Sequence, residues 1–174
     1  MKLPILKTDR LTLSPLSMSD FLLMRELDTD PEVVKYLAHG QVRAESETTK
    51  FLAKILNDYE KYGLGLYKAT LTESGEFVGR AGLIPWNIEN EFMWEVGCSL
   101  KPSFWKKGLA TEATEFLIDW AFNNLSVNFI IGLIDPENQN SINVSKKIGM
   151  SFWKTVVVYD CTVDAYRVNK KGAN

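Results

Sequence analysis

From Glu95 to Ala113 the chain reads as a strand, a short basic turn and the first turn of a helix. That order constrains the fold more than any other stretch, because it aims a helix N-terminus past the end of a strand. The first backbone N–H groups of a helix have no partner within it, and the macrodipole adds positive potential there. Such an end suits an anion, most often a phosphate. Lys106 and Lys107 add charge to the turn, and Gly108 lacks the Cβ that would hold a ligand away from the backbone. A solvated loop whose glycine merely opens a helix accounts for the same residues. Neither Gly-x-x-x-x-Gly-Lys-[Ser/Thr] nor Gly-x-Gly-x-x-Gly occurs, so the common nucleotide signatures are absent.

Around this stretch the periodicity changes twice. Leu6 to Leu16 alternates in part and predicts a first strand, with Pro15 at an edge or an end. Ser17 to Asp20 supplies caps for a helix with Phe21, Met24 and Leu27 on one face. Asp30-Pro31 starts a short helix, Asp as cap and Pro at the first helical position, which His39-Gly40 ends. A long helix from about Ala44 to Tyr62 places Phe51, Leu52, Ile55, Leu56 and Tyr59 at helical spacing. Strands follow over 66–71, 77–86 and 92–100, an antiparallel meander, and then a helix over 108–124. The apolar run Phe129 to Ile134 predicts a buried strand parallel to the one before that helix. A turn at Asp135 to Asn138, a helix to Ile148 and a hairpin over 151–168 complete the chain. The sum is an α+β domain spanning 1–174 with about seven strands. Its antiparallel sheet gains one parallel step at the basic turn, where sheets of this kind place ligands.

Composition narrows the class. The 174 residues are 45% hydrophobic and 24% charged, with a net charge of −2, so nothing in the bulk electrostatics suggests a nucleic-acid binder. Two cysteines, Cys98 and Cys161, are too few for a disulfide scaffold and fit a reduced, cytoplasmic chain. The first ten residues hold no long apolar run, so no signal peptide is expected, and no window is apolar enough for a membrane span. His39 is the one histidine, which argues against a His-rich metal site.

The run from Trp94 to Ala113 resembles the acetyl-coenzyme A motif of the GNAT N-acetyltransferases, more narrowly the branch holding the ribosomal-protein alanine and serine N-acetyltransferases. The core pattern Gln/Arg-x-x-Gly-x-Gly/Ala falls on Trp105, Gly108 and Ala110, and this branch carries Trp at the first position. Asp135 to Met150 resembles the branch's Asn-x-x-Ser stretch with its Lys-x-Gly-Phe ending, off pattern only at Met150. The opening Leu6 to Leu13 resembles its first strand. Lys106 departs from the branch, which has Gly there.

The resemblance implies a GNAT fold, a mixed and mostly antiparallel seven-stranded sheet splayed between the strands near 92–100 and 129–134. It implies acetyl-coenzyme A as cosubstrate, with no metal, no nucleic acid and no membrane, in a monomer or homodimer. The pyrophosphate would meet the N–H groups of Lys106, Lys107, Gly108, Leu109, Ala110 and Thr111. The pantetheine arm would lie along Cys98, Ser99 and Leu100 as an added strand does, and Asn138 and Ser141 would also contact the coenzyme.

Transfer from a thioester to an amine needs a base, an oxyanion donor and an acid for the thiolate. Glu95 is the candidate base, with a strand glutamate beside Trp94 as its plain alternative. Relatives place a tyrosine near the thiol as acid; the matching position here is Ser145, which leaves Ser141 as the substitute, against a capping role. Glu112 fits helix-dipole stabilisation without catalysis. Glu89, Glu91 and Glu95 form an acidic stretch suited to a cationic amine, and equally to a solvated loop. The acceptor expected is a primary amine, foremost a protein N-terminus. The alternatives are an aminoglycoside or polyamine-like amine, a catalytically silent coenzyme A binding module, and an interaction domain without coenzyme.

Overall fold

A computed structural model describes residues 3–37 and 40–172. His39 lies outside the described residues.

Strands β1 (Leu6–Lys7), β2 (Leu11–Pro15), β3 (Leu66–Leu71), β4 (Phe77–Ile88), β5 (Glu91–Leu100), β6 (Phe129–Ile134), β7 (Ser151–Val158) and β8 (Cys161–Asn169) form one sheet in the order β1-β2-β3-β4-β5-β6-β8-β7. Helices α1 (Phe21–Asp28), α2 (Pro31–Val34) and α3 (Glu45–Tyr62) fall between β2 and β3. Helix α4 (Leu109–Asn124) joins β5 to β6, and α5 (Gln139–Lys147) joins β6 to β7.

The sheet has eight strands, where the sequence predicts seven. The difference lies at the start. Leu6 to Leu16 reads as one strand by alternation, but Thr8 to Arg10 turns back, and Leu6 pairs with Leu13 in an antiparallel hairpin. The Leu11 N–H donates to Thr8 Oγ1 at 2.9 Å, a local side-chain bond that competes with continuing the strand. A second difference is the link between β4 and β5. Strands over 77–86 and 92–100 leave a loop between them in the sequence; instead the ladder runs through Trp86↔Met93 to Ile88↔Glu91, and only Glu89 and Asn90 turn. Both have positive φ, 53° and 66°, the twist that suits a two-residue hairpin loop.

The predicted helix signals operate as chemistry. The Asp30 carboxylate accepts from the Glu32 and Val33 N–H groups at 2.9 and 3.4 Å, with Pro31 at the first helical position. Apolar faces of α3 (Leu52, Ile55) and α4 (Leu117, Ile118, Ala121) pack with Leu11, Leu13, Ala69, Ala81 and Val96 of the sheet in the main core. Each leucine, isoleucine or valine among them contributes roughly 1.5–3 kcal/mol by leaving water. A smaller cluster of Ile88, Met93, Ile131, Val156 and Ala165 joins β4 through β8.

One polar network is sealed inside. Asp28, fully buried, accepts from Arg80 at 2.9 Å, Arg43 at 3.1 Å and Thr48 at 2.9 Å. Burial alone would raise its pKa, but the Arg80 and Arg43 guanidiniums outweigh that and hold it below the usual range. The network ties α1 and α3 to β4 across the core.

Only one step in the sheet is parallel. β5 and β6 run side by side, and their ladder holds a single register pair, Glu95↔Ile131. Beyond it the strands part. Their carboxyl ends, Leu100 and Ile134, lie toward the same side, and α4 and α5 begin just past them.

Candidate functional site

The parting of β5 and β6 places Glu95 at its apex. Glu95 is 9% exposed and shares a strand face with Met93, against the smaller apolar cluster on which Trp86 and Leu133 pack. Burial among these groups raises its pKa to about 7. Two donors oppose that shift. The Trp86 indole N–H donates to Oε2 at 2.5 Å, and the Leu133 N–H of β6 donates to Oε1 at 3.4 Å. A carboxylate oxygen accepts up to two bonds, so each oxygen retains a lone pair for a water or an amine. A carboxyl group that titrates near neutrality, held at a gap between strands, is equipped to take and release a proton.

The basic turn closes the far end of the gap. After β5, a 3₁₀ turn over Pro102–Phe104 leads to Trp105, whose indole N–H donates to the Leu100 carbonyl at 2.7 Å. Lys106 and Gly108 both have positive φ, 61° and 78°. The Lys106 conformation explains why glycine is at home there: the turn needs a left-handed residue, and a lysine bears the strain. Gly108 caps α4 with no side-chain bond, so the N–H groups of Leu109, Ala110 and Thr111 open the helix without a capping side chain.

Glu112, in that first turn, is occupied elsewhere. Its Oε1 accepts from Thr8 Oγ1 at 2.5 Å and the Arg10 N–H at 2.8 Å, and its Oε2 from Arg10 Nε at 2.6 Å. Burial would raise the Glu112 pKa, but these bonds from Thr8 and Arg10 prevail and lower it. Arg10 Nη1 also donates to the Lys107 carbonyl at 2.9 Å. The β1–β2 hairpin thus braces the basic turn, a contact between residues about a hundred positions apart that spacing could not reveal.

Past β6, Asn138 caps α5, its Oδ1 accepting the Ser141 N–H at 3.1 Å. This is the capping alternative weighed for the Asn-x-x-Ser stretch, with Asn rather than Ser as the cap. Among the described residues no protein group bonds the Ser141 hydroxyl. Ser145 is buried and donates to the Ile142 carbonyl at 2.9 Å within its own helix. Burial pushes the Cys98 thiol up to about 12, far from the thiolate that nucleophilic attack requires.

The acidic stretch does not stay together. Glu91 is exposed, and exposed Glu89 pairs with Lys154 at 2.5 Å near the hairpin tip, while Glu95 lies four residues inward, about 13 Å along the strand. A cavity of about 460 Å³ opens between Trp86–Glu89 and Thr155–Tyr159, with the Trp86 and Tyr159 rings 5.3 Å apart. Trp86 went unnoticed in the sequence as a partner of Glu95. Its signal was the hairpin register: a turn at Glu89-Asn90 makes Trp86 and Glu95 diagonal neighbours on one face. Among the described residues no three His, Cys, Asp or Glu side chains gather as a metal-binding group, and no helix is long and apolar enough to cross a membrane.

The family model for the acetyltransferase (GNAT) domain matches residues 10–151. The chain belongs to the GNAT acetyltransferases. This GNAT chain is 32% identical over 162 residues to the protein YkkB of Bacillus subtilis, covering 92% of this chain and 93% of that one. It is 25% identical over 139 residues to the spermidine N(1)-acetyltransferase of Escherichia coli K12, covering 80% and 72%. The crystal structure of an acetyltransferase from Agrobacterium tumefaciens superimposes with a TM-score of 0.85 at 28% identity, covering 98% of this chain and 96% of that one. As a GNAT acetyltransferase, the protein uses acetyl-coenzyme A as its cosubstrate.

Proposed function

We propose that this GNAT acetyltransferase moves the acetyl group directly to a small cationic amine, with Glu95 as general base. The observation that carries the reading is Glu95 itself, buried where β5 and β6 part and titrating near 7. In the transfer a C–N bond forms as the C–S bond breaks. Glu95 takes the amine proton, directly or through one water, and the departing thiolate gains a proton from solvent or from the Ser141 hydroxyl. The raised pKa of Cys98 speaks against an acyl-cysteine route.

The coenzyme reading draws on two features. Beyond Glu95 the edge of β5 facing β6 has no ladder partner, so Cys98, Ser99 and Leu100 can pair with the pantetheine arm as with an added strand. At the turn, the N–H groups from Lys106 to Thr111 surround an uncapped helix start, suited to the pyrophosphate. Asn138 has its amide N–H groups left for the arm, since its oxygen caps α5.

The acceptor reading draws on the cavity beside Trp86, whose size is that of a small-molecule site, and on the sequence likeness to a spermidine acetyltransferase. A protein N-terminus is the second reading, favoured by the Asn138 to Gly149 stretch that resembles the ribosomal-protein branch.

Thiol release from acetyl-coenzyme A, measured over a panel of polyamines, aminoglycosides and N-terminal peptides, tests both. Release with polyamines, lost by roughly a hundredfold in Glu95→Gln at unchanged coenzyme affinity, is the expected result. Release with peptides alone selects the second reading. Unchanged turnover in Glu95→Gln removes Glu95 from the role, and coenzyme binding with no release on any amine leaves a silent binding module.

A further inference from the structure

We propose that Trp86 is a positioning residue for the acetyl transfer, its indole N–H fixing the Glu95 carboxylate at the parting of β5 and β6 and selecting its ionised form. The inference rests on Glu95 being the base.

Three observations carry it. The bond is short, 2.5 Å from Nε1 to Oε2, and it joins diagonal neighbours on a ladder that a two-residue turn holds in register. The indole is itself held, packed on the smaller apolar cluster and 5.3 Å from the Tyr159 ring. The remaining groups acting on Glu95 are weaker or farther. From β6 it accepts from the Leu133 N–H at 3.4 Å. From α3 the Lys54 ammonium acts at a distance while paired with Asp58 at 2.8 Å. Its neighbours on the same face of β5, Met93 and Gly97, carry no charge.

The chemistry of the donor is what matters. An arginine in contact would hold the carboxylate ionised at any working pH and leave it a feeble base. With no donor, burial would keep it protonated and useless as a base. A neutral N–H lies between, favouring the charged form by enough to keep the group near neutrality, where general bases are most effective.

Trp86→Phe keeps the ring and removes the donor. The expected result is an acid limb of the pH–rate profile moved up by about one pH unit. Turnover at pH 7 then falls roughly fivefold and recovers at higher pH, with coenzyme affinity unchanged. A merely structural tryptophan would lower the rate equally at all pH values. An acid limb that stays at its wild-type position overturns the proposal, whatever happens to kcat. Should the variant turn over too slowly to profile, a ¹³C NMR titration of the Glu95 carboxyl in labelled wild-type and Trp86→Phe protein reads the same shift, and coincident titrations refute it. Glu95→Gln separates the two levels. If Glu95→Gln retains the wild-type acid limb, the base reading has failed. If Glu95→Gln abolishes the limb while Trp86→Phe leaves it in place, only the role of Trp86 has failed.

Discussion

As the proposed base, Glu95 would place catalysis and stability in opposition. Its pKa stands near 7 in the folded chain, against an ordinary value near 4.5. Between those values the folded protein holds a proton that the unfolded chain has released. Folding stability is therefore greatest below about pH 4.5 with respect to this group, declines as pH rises to about 7, and levels off above it. The decline is on the order of 3 kcal/mol. Glu95→Gln carries no titration, so its melting temperature should vary less between pH 5 and 8 than that of the wild type. A wild-type slope retained in the variant would assign the pH dependence to other groups. The residue's type and strand were legible in the sequence. Its burial and its two donors were not, because both depend on where β4 and β6 lie relative to β5. Lys106 is the converse case. It departs from the branch's glycine, yet its φ of 61° is the left-handed conformation that a glycine adopts readily.

At the scale of elements, the turn that opens α4 is not self-supporting. Glu112 receives Thr8 and Arg10 from the β1–β2 hairpin, and Arg10 reaches on to the Lys107 carbonyl. Helix-dipole stabilisation, the reading available from sequence, is compatible with this but omits the brace. Glu112→Ala should cost about 1–2 kcal/mol, since the Arg10 side chain is half exposed and its ion pair is screened. The same change should weaken coenzyme binding several-fold by calorimetry while leaving the acid limb of the pH profile in place. Unaltered affinity would mean that the turn keeps its shape without the hairpin. The helices themselves were largely legible, since Asp30-Pro31, the apolar spacing of α3 and Gly108 act through neighbours a few residues away. The first strand reads as continuous in the sequence but is two in the fold, because the bond between Leu11 and Thr8 interrupts an alternation that is otherwise strand-like.

At the scale of the whole molecule, the parallel step joins the two halves of the described sheet through a single register pair. A ligand that bridges β5 and β6 completes the ladder and joins the two halves of the sheet, so binding should report on global stability. Acetyl-coenzyme A at a hundred times its dissociation constant should add about 2.7 kcal/mol, a clear upward shift in melting temperature. Absence of any shift at millimolar coenzyme would contradict the coenzyme site. From sequence alone came the α+β class, the order of elements, the parallel step at the basic turn and the family motifs, all of which rest on local periodicity and short spacings. The folded structure alone decided that β1 folds back on β2, that Thr8 and Arg10 brace the turn that opens α4, and that Trp86 holds Glu95. The last two of these join residues 9 to 104 positions apart. A chain's local pattern constrains which way a side chain points, but only the packing of distant strands determines what it meets.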